Sequence, residues 1–132
     1  MTPPNLNAYQ QAQKLAITPS AAESATLIKA AGILEKAKET ITDAGADLQA
    51  FAAALKFNQK FWTVLQADLT SDGNRLSGEL KADLLSLSIF VDKQTIKALS
   101  DPKPEHLDVL IEINRNIAMG LREQTNLREQ TG

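Results

Sequence analysis

The chain of 132 residues lacks cysteine altogether and contains a single histidine. Without cysteine, disulfides, thiolate catalysis and thiolate metal sites are excluded. His106 follows Pro104 closely, in a first helical turn where we expect a solvated side chain, and no glycine-rich phosphate loop or group of clustered metal ligands is visible. We therefore expect a protein that is not an enzyme and that uses no cofactor and no metal.

Long apolar runs and an excess of positive charge are also missing. The most apolar window, Leu84–Val91, is far shorter than the roughly 20 residues that a membrane helix needs. The first residues show neither the basic nor the apolar region of a secretion signal. A net charge of -2 provides no basic footprint for nucleic acid or for an anionic membrane. These features predict a cytoplasmic protein without membrane insertion or direct contact with nucleic acid.

Apolar residues recur at helical spacing, and no convincing sheet is present. We predict five helices, each bounded by a proline, a turn or a capping residue. The first helix runs from 7 to 17 and is ended by Thr18–Pro19, and the second runs from Ser20 to about 42. The third begins at the N-cap Asp47 and runs to 69. The fourth runs from Ser77 to about 99, and the fifth from Pro104 to Gly120. The sequence thus predicts an all-α, single-domain helical bundle over residues 1–121, followed by a frayed polar tail over 122–132.

The fourth of these helices is apolar nearly all round in its middle. One stripe contains Leu84 and Val91, and a second contains Leu85, Ile89, Ile96 and Leu99. The segment 85–89 also alternates like a strand, but the pattern continues at helical spacing for about six turns. We expect a central, buried helix here.

Aromatic residues make up only 5% of the chain, yet most of them lie on or beside the third helix. Phe51, Phe57, Phe61 and Trp62 all belong to this segment. Trp62 is either a core anchor, which needs burial and a partner for its N–H, or a recognition residue in an open groove. Its position on the main apolar stripe favours the core.

Asn114 occupies an apolar-face position of the fifth helix. An unpaired buried amide costs about 1–3 kcal/mol, so its partner lies either inside the bundle, as a polar lock that fixes register, or in a bound chain. Asn58 on the third helix raises the same question, and the two side chains are candidates to bond each other.

Several blocks, in order along the chain, carry a family resemblance. They are Ala8–Tyr9, Pro19 with Glu23, Leu27–Ala31, Leu55–Trp62, Leu84–Val91 and Leu110–Leu121. Together they make the chain similar to the FlaF family of flagellar biosynthesis regulators. One departure is Ser20, where the family has an arginine after the proline.

The resemblance implies a chaperone-like factor that binds flagellin, regulates its synthesis and secretion, and works alongside a second regulator, FlbT. A wide apolar surface on an acidic bundle is compatible with holding a client's amphipathic helix. Two alternatives stay open, namely an adaptor acting through FlbT and a regulator acting on flagellin mRNA. The residues expected to bind protein are Phe57, Phe61, Trp62 and Phe90 as apolar contacts, Asn114 for a client backbone group and Arg115 for an acidic client residue.

Overall fold

The computed structural model describes the backbone of residues 4–74 and 76–131 and the side chains of residues 22–74 and 76–122. These residues form four helices, α1 (Pro4–Glu39), α2 (Leu48–Leu69), α3 (Gly78–Ser100) and α4 (Pro104–Thr131). The all-α prediction is confirmed, with four helices instead of five. Across these ranges, no helix combines the length and the apolarity that crossing a membrane requires.

The predicted break at Thr18–Pro19 is wrong, because α1 continues through both residues. Proline removes one helical hydrogen bond and disfavours helix at the residue before it. That is a local cost, and helix propagation on both sides offsets it. The predicted helix end at Gly120 is also wrong, since α4 runs on to Thr131. A glycine inside a helix costs about 1 kcal/mol and does not by itself stop it.

The predicted starts of the other helices are confirmed by their caps. The Asp47 carboxylate accepts a hydrogen bond from the Ala50 N–H at 3.1 Å, and the Ser77 hydroxyl accepts one from the Leu80 N–H at 3.2 Å. Pro104 is the first residue of α4, where its missing N–H costs nothing. These side chains satisfy backbone donors that a helix start leaves without partners.

The helices form a bundle in which neighbours along the chain are antiparallel. α1 packs on both α2 and α4, and α3 packs on α2 and α4. Ser24 bonds the Ala118 carbonyl and Lys38 bonds Asp108, so α1 and α4 run in opposite directions. This order leaves α2 and α4 diagonally opposite each other. The buried core is built mainly from the predicted stripes, including Leu27, Leu34, Phe51, Leu55, Trp62, Leu65, Leu84, Val91, Leu107, Leu110 and Leu121.

The expectation that α3 is a central, buried helix is wrong. Ile89, Ile96 and Leu99 are 57%, 61% and 50% exposed. A four-helix bundle has no central position, so each helix buries one face only. The buried face of α3 even includes Ser88 and Thr95.

The turn between α1 and α2 generates a first testable prediction. Gly45 has φ of 130° and exchanges two backbone hydrogen bonds with Thr42, so an L side chain is strained there. We expect Gly45→Ala to lower the free energy of unfolding by about 1–2 kcal/mol. Urea denaturation followed by Trp62 fluorescence measures this. Gly73→Ala is the control, because Gly73 has ordinary φ and open space around its Cα; equal effects of the two changes would contradict the strain.

Candidate partner-binding groove

A shallow apolar groove follows the seam between α1 and α2. It consists of two adjoining depressions of about 460 and about 420 Å³. We call them together the α1–α2 groove. Phe57 lines both depressions and therefore sits where they meet. From Ala22 on α1 to Thr40, the residue that follows α1, the groove spans about 27 Å at 1.5 Å per residue. The remaining lining comprises Ile33, Lys36, Ala37, Ala50, Ala53 and Ala54 on one side of Phe57, and Glu23, Thr26, Lys60, Phe61 and Val64 on the other.

The groove exists because large and small side chains are distributed unevenly along α2. Ala50, Ala53 and Ala54 have no side chain long enough to fill the space beside α1. Phe57, Phe61 and Val64 follow at the spacing that aligns them on one helical face. Val64 is 60% exposed, and the two phenylalanines are half-buried. An open apolar surface of this shape is suited to apolar ligands.

Charged side chains border the apolar floor. The Lys29 ammonium lies 5.6 Å from the centroid of the Phe57 ring, a favourable cation–π geometry. Lys36 and Lys60 line the groove on either side of Phe57. The groove is therefore apolar along its floor and basic along its middle.

A pair of carboxyl groups lies at one end of the groove, where Glu23 of the lining interacts with Asp68. Burial, a hydrogen bond with Asp68 and the charge of Asp68, in decreasing order of effect, together raise the pKa of Glu23 to about 8. Asp68 also accepts a hydrogen bond from the Asn74 amide at 3.0 Å. Glu23 therefore holds a proton at neutral pH, and the pair carries less negative charge than two free carboxylates.

Beneath the groove, a chain of buried hydrogen bonds joins α2 to α4. The Trp62 indole N–H donates to Asn114 Oδ1 at 3.0 Å, and the Asn114 amide donates to Asn58 Oδ1 at 2.6 Å. All three side chains are fully buried. We call these three residues the polar lock. Asn114 thus has its partners inside the bundle, and the expected bond between Asn58 and Asn114 is confirmed. Within the described part of the chain, Asn58 Nδ2 is left without a hydrogen-bond partner.

The lock also supports the floor of the groove. The rings of Phe61 and Trp62 meet edge to face, with centroids 6.3 Å apart and planes at 88°. This is a preferred arrangement for an aromatic pair. Because Trp62 is fixed by its bond to Asn114, the position of Phe61 in the groove depends on the lock.

The six residues predicted to bind protein do not converge on one surface. Phe57 and Phe61 lie in the groove, whereas Trp62 and Asn114 lie beneath it. Phe90 is 46% exposed on α3. Arg115 lies on α4, where its guanidinium is 3.7 Å from the Glu35 carboxylate of α1.

The protein-binding role of all six stays a prediction, and direct contact through Trp62 or Asn114 would require the bundle to open. Sequence reasoning missed the α1 side of the groove, namely Glu23, Lys29, Ile33 and Lys36. A weak signal was present, since Thr26 and Ile33 flank the buried stripe of α1.

The chain matches a known protein family over most of its length. A model described as "Flagellar protein FlaF" matches residues 5–121. The chain belongs to the FlaF family. The match includes the groove and the polar lock and ends at residue 121, just before the polar residues 122–132. It confirms the resemblance found in the sequence and assigns this FlaF protein a role in flagellar biogenesis. No curated protein and no solved structure matches the chain.

The lock yields a second prediction. Trp62→Ala should lower the free energy of unfolding by about 3–5 kcal/mol through the cavity that it leaves. Trp62→Phe removes only the N–H donor and part of the volume, and should cost about 1–3 kcal/mol. Thermal and urea denaturation followed by circular dichroism test both variants. Leu48→Ala is the control, because Leu48 is 62% exposed. An unchanged melting temperature for Trp62→Ala would mean that Trp62 is not a core residue in solution.

The carboxyl pair yields a third prediction. The folded-state pKa of Glu23, about 8, lies above its ordinary value of 4.5, so the folded chain retains a proton that the unfolded chain releases. The associated stability is fully present below pH 4.5 and is lost as the pH rises through about 8. Between about pH 5 and about pH 9, the melting temperature of the wild type should therefore fall relative to that of Glu23→Gln.

Melting curves of the two proteins across this range provide the measurement. Glu39→Gln removes an exposed carboxylate from the same helix and serves as the control. Parallel curves for the wild type and Glu23→Gln would contradict the retained proton.

Proposed function

We propose that this FlaF protein is a chaperone-like factor that binds flagellin in the cytoplasm and so regulates its synthesis and secretion. The observation that carries the proposal is the α1–α2 groove, an open apolar surface about 27 Å long by the rise of the helix in a member of a flagellar family. A groove of that length accommodates about five turns of a client helix.

The shape and chemistry of the groove favour a helix as the occupant. A helix in a groove presents apolar anchors at successive turns, and the two depressions on either side of Phe57 provide two separate places for such anchors. Lys29, Lys36 and Lys60 favour a client with acidic residues beside its apolar stripe. Unassembled flagellin has helical ends that associate prematurely when they are exposed, so covering one of them keeps the monomer competent for export.

The two alternative functions predict different ligands for the same protein. Lysines beside an aromatic ring are also suited to binding single-stranded RNA. Direct contact with flagellin mRNA therefore remains an alternative to consider. Against RNA stand the net charge of -2, the apolar floor and the carboxyl pair at one end. An adaptor that acts through FlbT needs the same kind of helix-binding surface, and only binding measurements separate it from a flagellin-binding factor.

The fourth prediction tests the groove with flagellin itself. In calorimetric titrations, monomeric flagellin should bind the wild type near one-to-one. Phe57→Ala should weaken binding by about 30-fold, because a central aromatic anchor contributes about 2 kcal/mol or more. Met119→Ala is the control, since Met119 is 61% exposed on α4 and does not line the groove.

The same titrations with FlbT and with the leader of the flagellin message distinguish the alternatives. Absence of flagellin binding at tens of micromolar, together with saturable binding of FlbT, would make FlbT the direct partner. Binding of the RNA that Phe57→Ala weakens would favour the regulator of the message. Equal affinity of wild type and Phe57→Ala for flagellin would place the binding site outside the groove.

A further inference from the structure

The outward surface of α3 is more apolar than its position in the bundle requires. Ile89, Ile96 and Leu99 are exposed, and Leu85 is half-buried beside them. The same helix buries Ser88, Gln94 and Thr95. A helix at the corner of a bundle normally directs its polar residues outward. We call Leu85, Ile89, Asp92, Ile96 and Leu99 the α3 outer face. An exposed apolar stripe of this kind marks an interaction site on an otherwise folded domain.

The spacing of the α3 outer face is that of a coiled-coil seam. Its five residues are separated alternately by four and three positions, a repeat of 3.5 residues per turn. With Ile89 at position a, Ile96 also falls at a, whereas Leu85 and Leu99 fall at d. Among parallel coiled coils, isoleucine at a with leucine at d favours two strands. The stripe spans about 21 Å along the helix axis.

We propose that the occupant of the α3 outer face is a second copy of this chain, with the two α3 helices parallel about a two-fold axis. Parallel pairing places each residue of the seam against the same residue of the other copy. Ile89 and Ile96 then form two layers, and Leu85 and Leu99 form two more. The interface is isologous and closes on itself, as dimer symmetry requires.

Charge complementarity supports the second copy as the partner. Asp92 occupies the middle d position, and Lys93 occupies the adjacent e position. In a parallel pair, a d side chain packs beside the e side chain of the other helix, so Asp92 meets Lys93 of the partner subunit, and the two-fold axis repeats that pair. The two Asp92 side chains also face each other across the axis, so this layer contains two carboxylates flanked by two ammonium groups. In an antiparallel pair, a positions face d positions, and Asp92 would face an isoleucine instead of forming this layer. A single polar seam position also specifies the register and the number of strands, at some cost in stability.

A seam this short can hold two copies together because α3 is already folded within the bundle. Two heptads do not form a stable coiled coil from separate peptides, because each helix must first be ordered. Here α3 is already folded against α2 and α4, so association does not include that cost. The area involved remains small compared with a standard interface, and we therefore expect micromolar dissociation.

Sedimentation analysis of the full chain over a range of concentrations tests the dimer. The mass should rise towards twice that of the 14.3 kDa chain. Ile96→Glu should keep the protein monomeric, with the dissociation constant raised by at least about 30-fold. Val64→Glu is the matched control, because Val64 is 60% exposed but lies in the α1–α2 groove. Circular dichroism verifies that both variants fold.

Charge exchange provides a second variant that leaves the apolar seam intact. Asp92→Lys should weaken the dimer because this layer would then contain four ammonium groups. Asp92→Lys combined with Lys93→Asp again gives two carboxylates and two ammonium groups, and should restore the dimer. A protein that is monomeric at all concentrations would overturn the inference and leave the face to a different protein. A dimer that survives Ile96→Glu, or a double variant no better than the single one, would also overturn it.

The absence of cysteine allows a direct test of the parallel direction. In Ile96→Cys, the parallel pair brings the two thiols together across the seam, within reach of a disulfide. Mild oxidation should therefore give a cross-linked dimer on a non-reducing gel. Phe90→Cys is the control, because Phe90 is exposed but lies off the seam. Cross-linking of Phe90→Cys but not of Ile96→Cys would overturn the parallel arrangement.

Discussion

The hydrogen-bonded chain from Trp62 through Asn114 to Asn58 is the constraint on which the rest of the bundle depends. Apolar contacts between helices are non-directional and tolerate sliding or rotation. Buried amides do not, because a shift of either helix leaves donors and acceptors unpaired in the core. The lock joins the diagonal helices α2 and α4, and α1 and α3 each pack against both of them. Fixing that diagonal therefore fixes the frame into which the other two helices fit.

Polar groups inside and apolar groups outside give this bundle an unusual distribution of chemistry. Asn58, Asn114, Ser88 and Thr95 are buried, whereas Val64, Ile89 and Ile96 are more than half exposed. Burying a polar side chain or exposing an apolar one reduces the hydrophobic stabilisation of the fold. Proteins depart from the usual pattern of apolar interior and polar surface at positions that serve specificity or binding instead of stability. Here the interior specifies register, and the exposed apolar residues collect on two surfaces, the α1–α2 groove and the α3 outer face.

The sequence predicts features that depend on few neighbouring residues. Helix starts were predicted correctly at Asp47, Ser77 and Pro104, because the start of a helix depends on local interactions alone. The asparagine pair was foreseeable because a buried amide must find a partner. The continuation of α1 through Pro19 was not foreseeable, because the local free-energy cost of the proline is offset by interactions along the whole helix. The groove and the α3 outer face escaped prediction for a different reason. Periodicity identifies an apolar face, but only the arrangement of all four helices determines whether another helix covers it.

The two surfaces lie on different sides of α2, and this separation has a consequence for function. Phe57 and Val64 face α1, whereas Gln66 bonds Ser88 of α3, so occupation of one surface leaves the other open. A parallel two-fold axis through the α3 outer face directs both grooves the same way along the bundle. The two Glu23 ends then lie at the same level. Under the proposed function, two clients in this arrangement would be at high effective concentration relative to each other, while their apolar helices would stay in separate grooves. The proposed dimer and the proposed binding of a client in the groove are therefore compatible, because each uses apolar surface that the other leaves free.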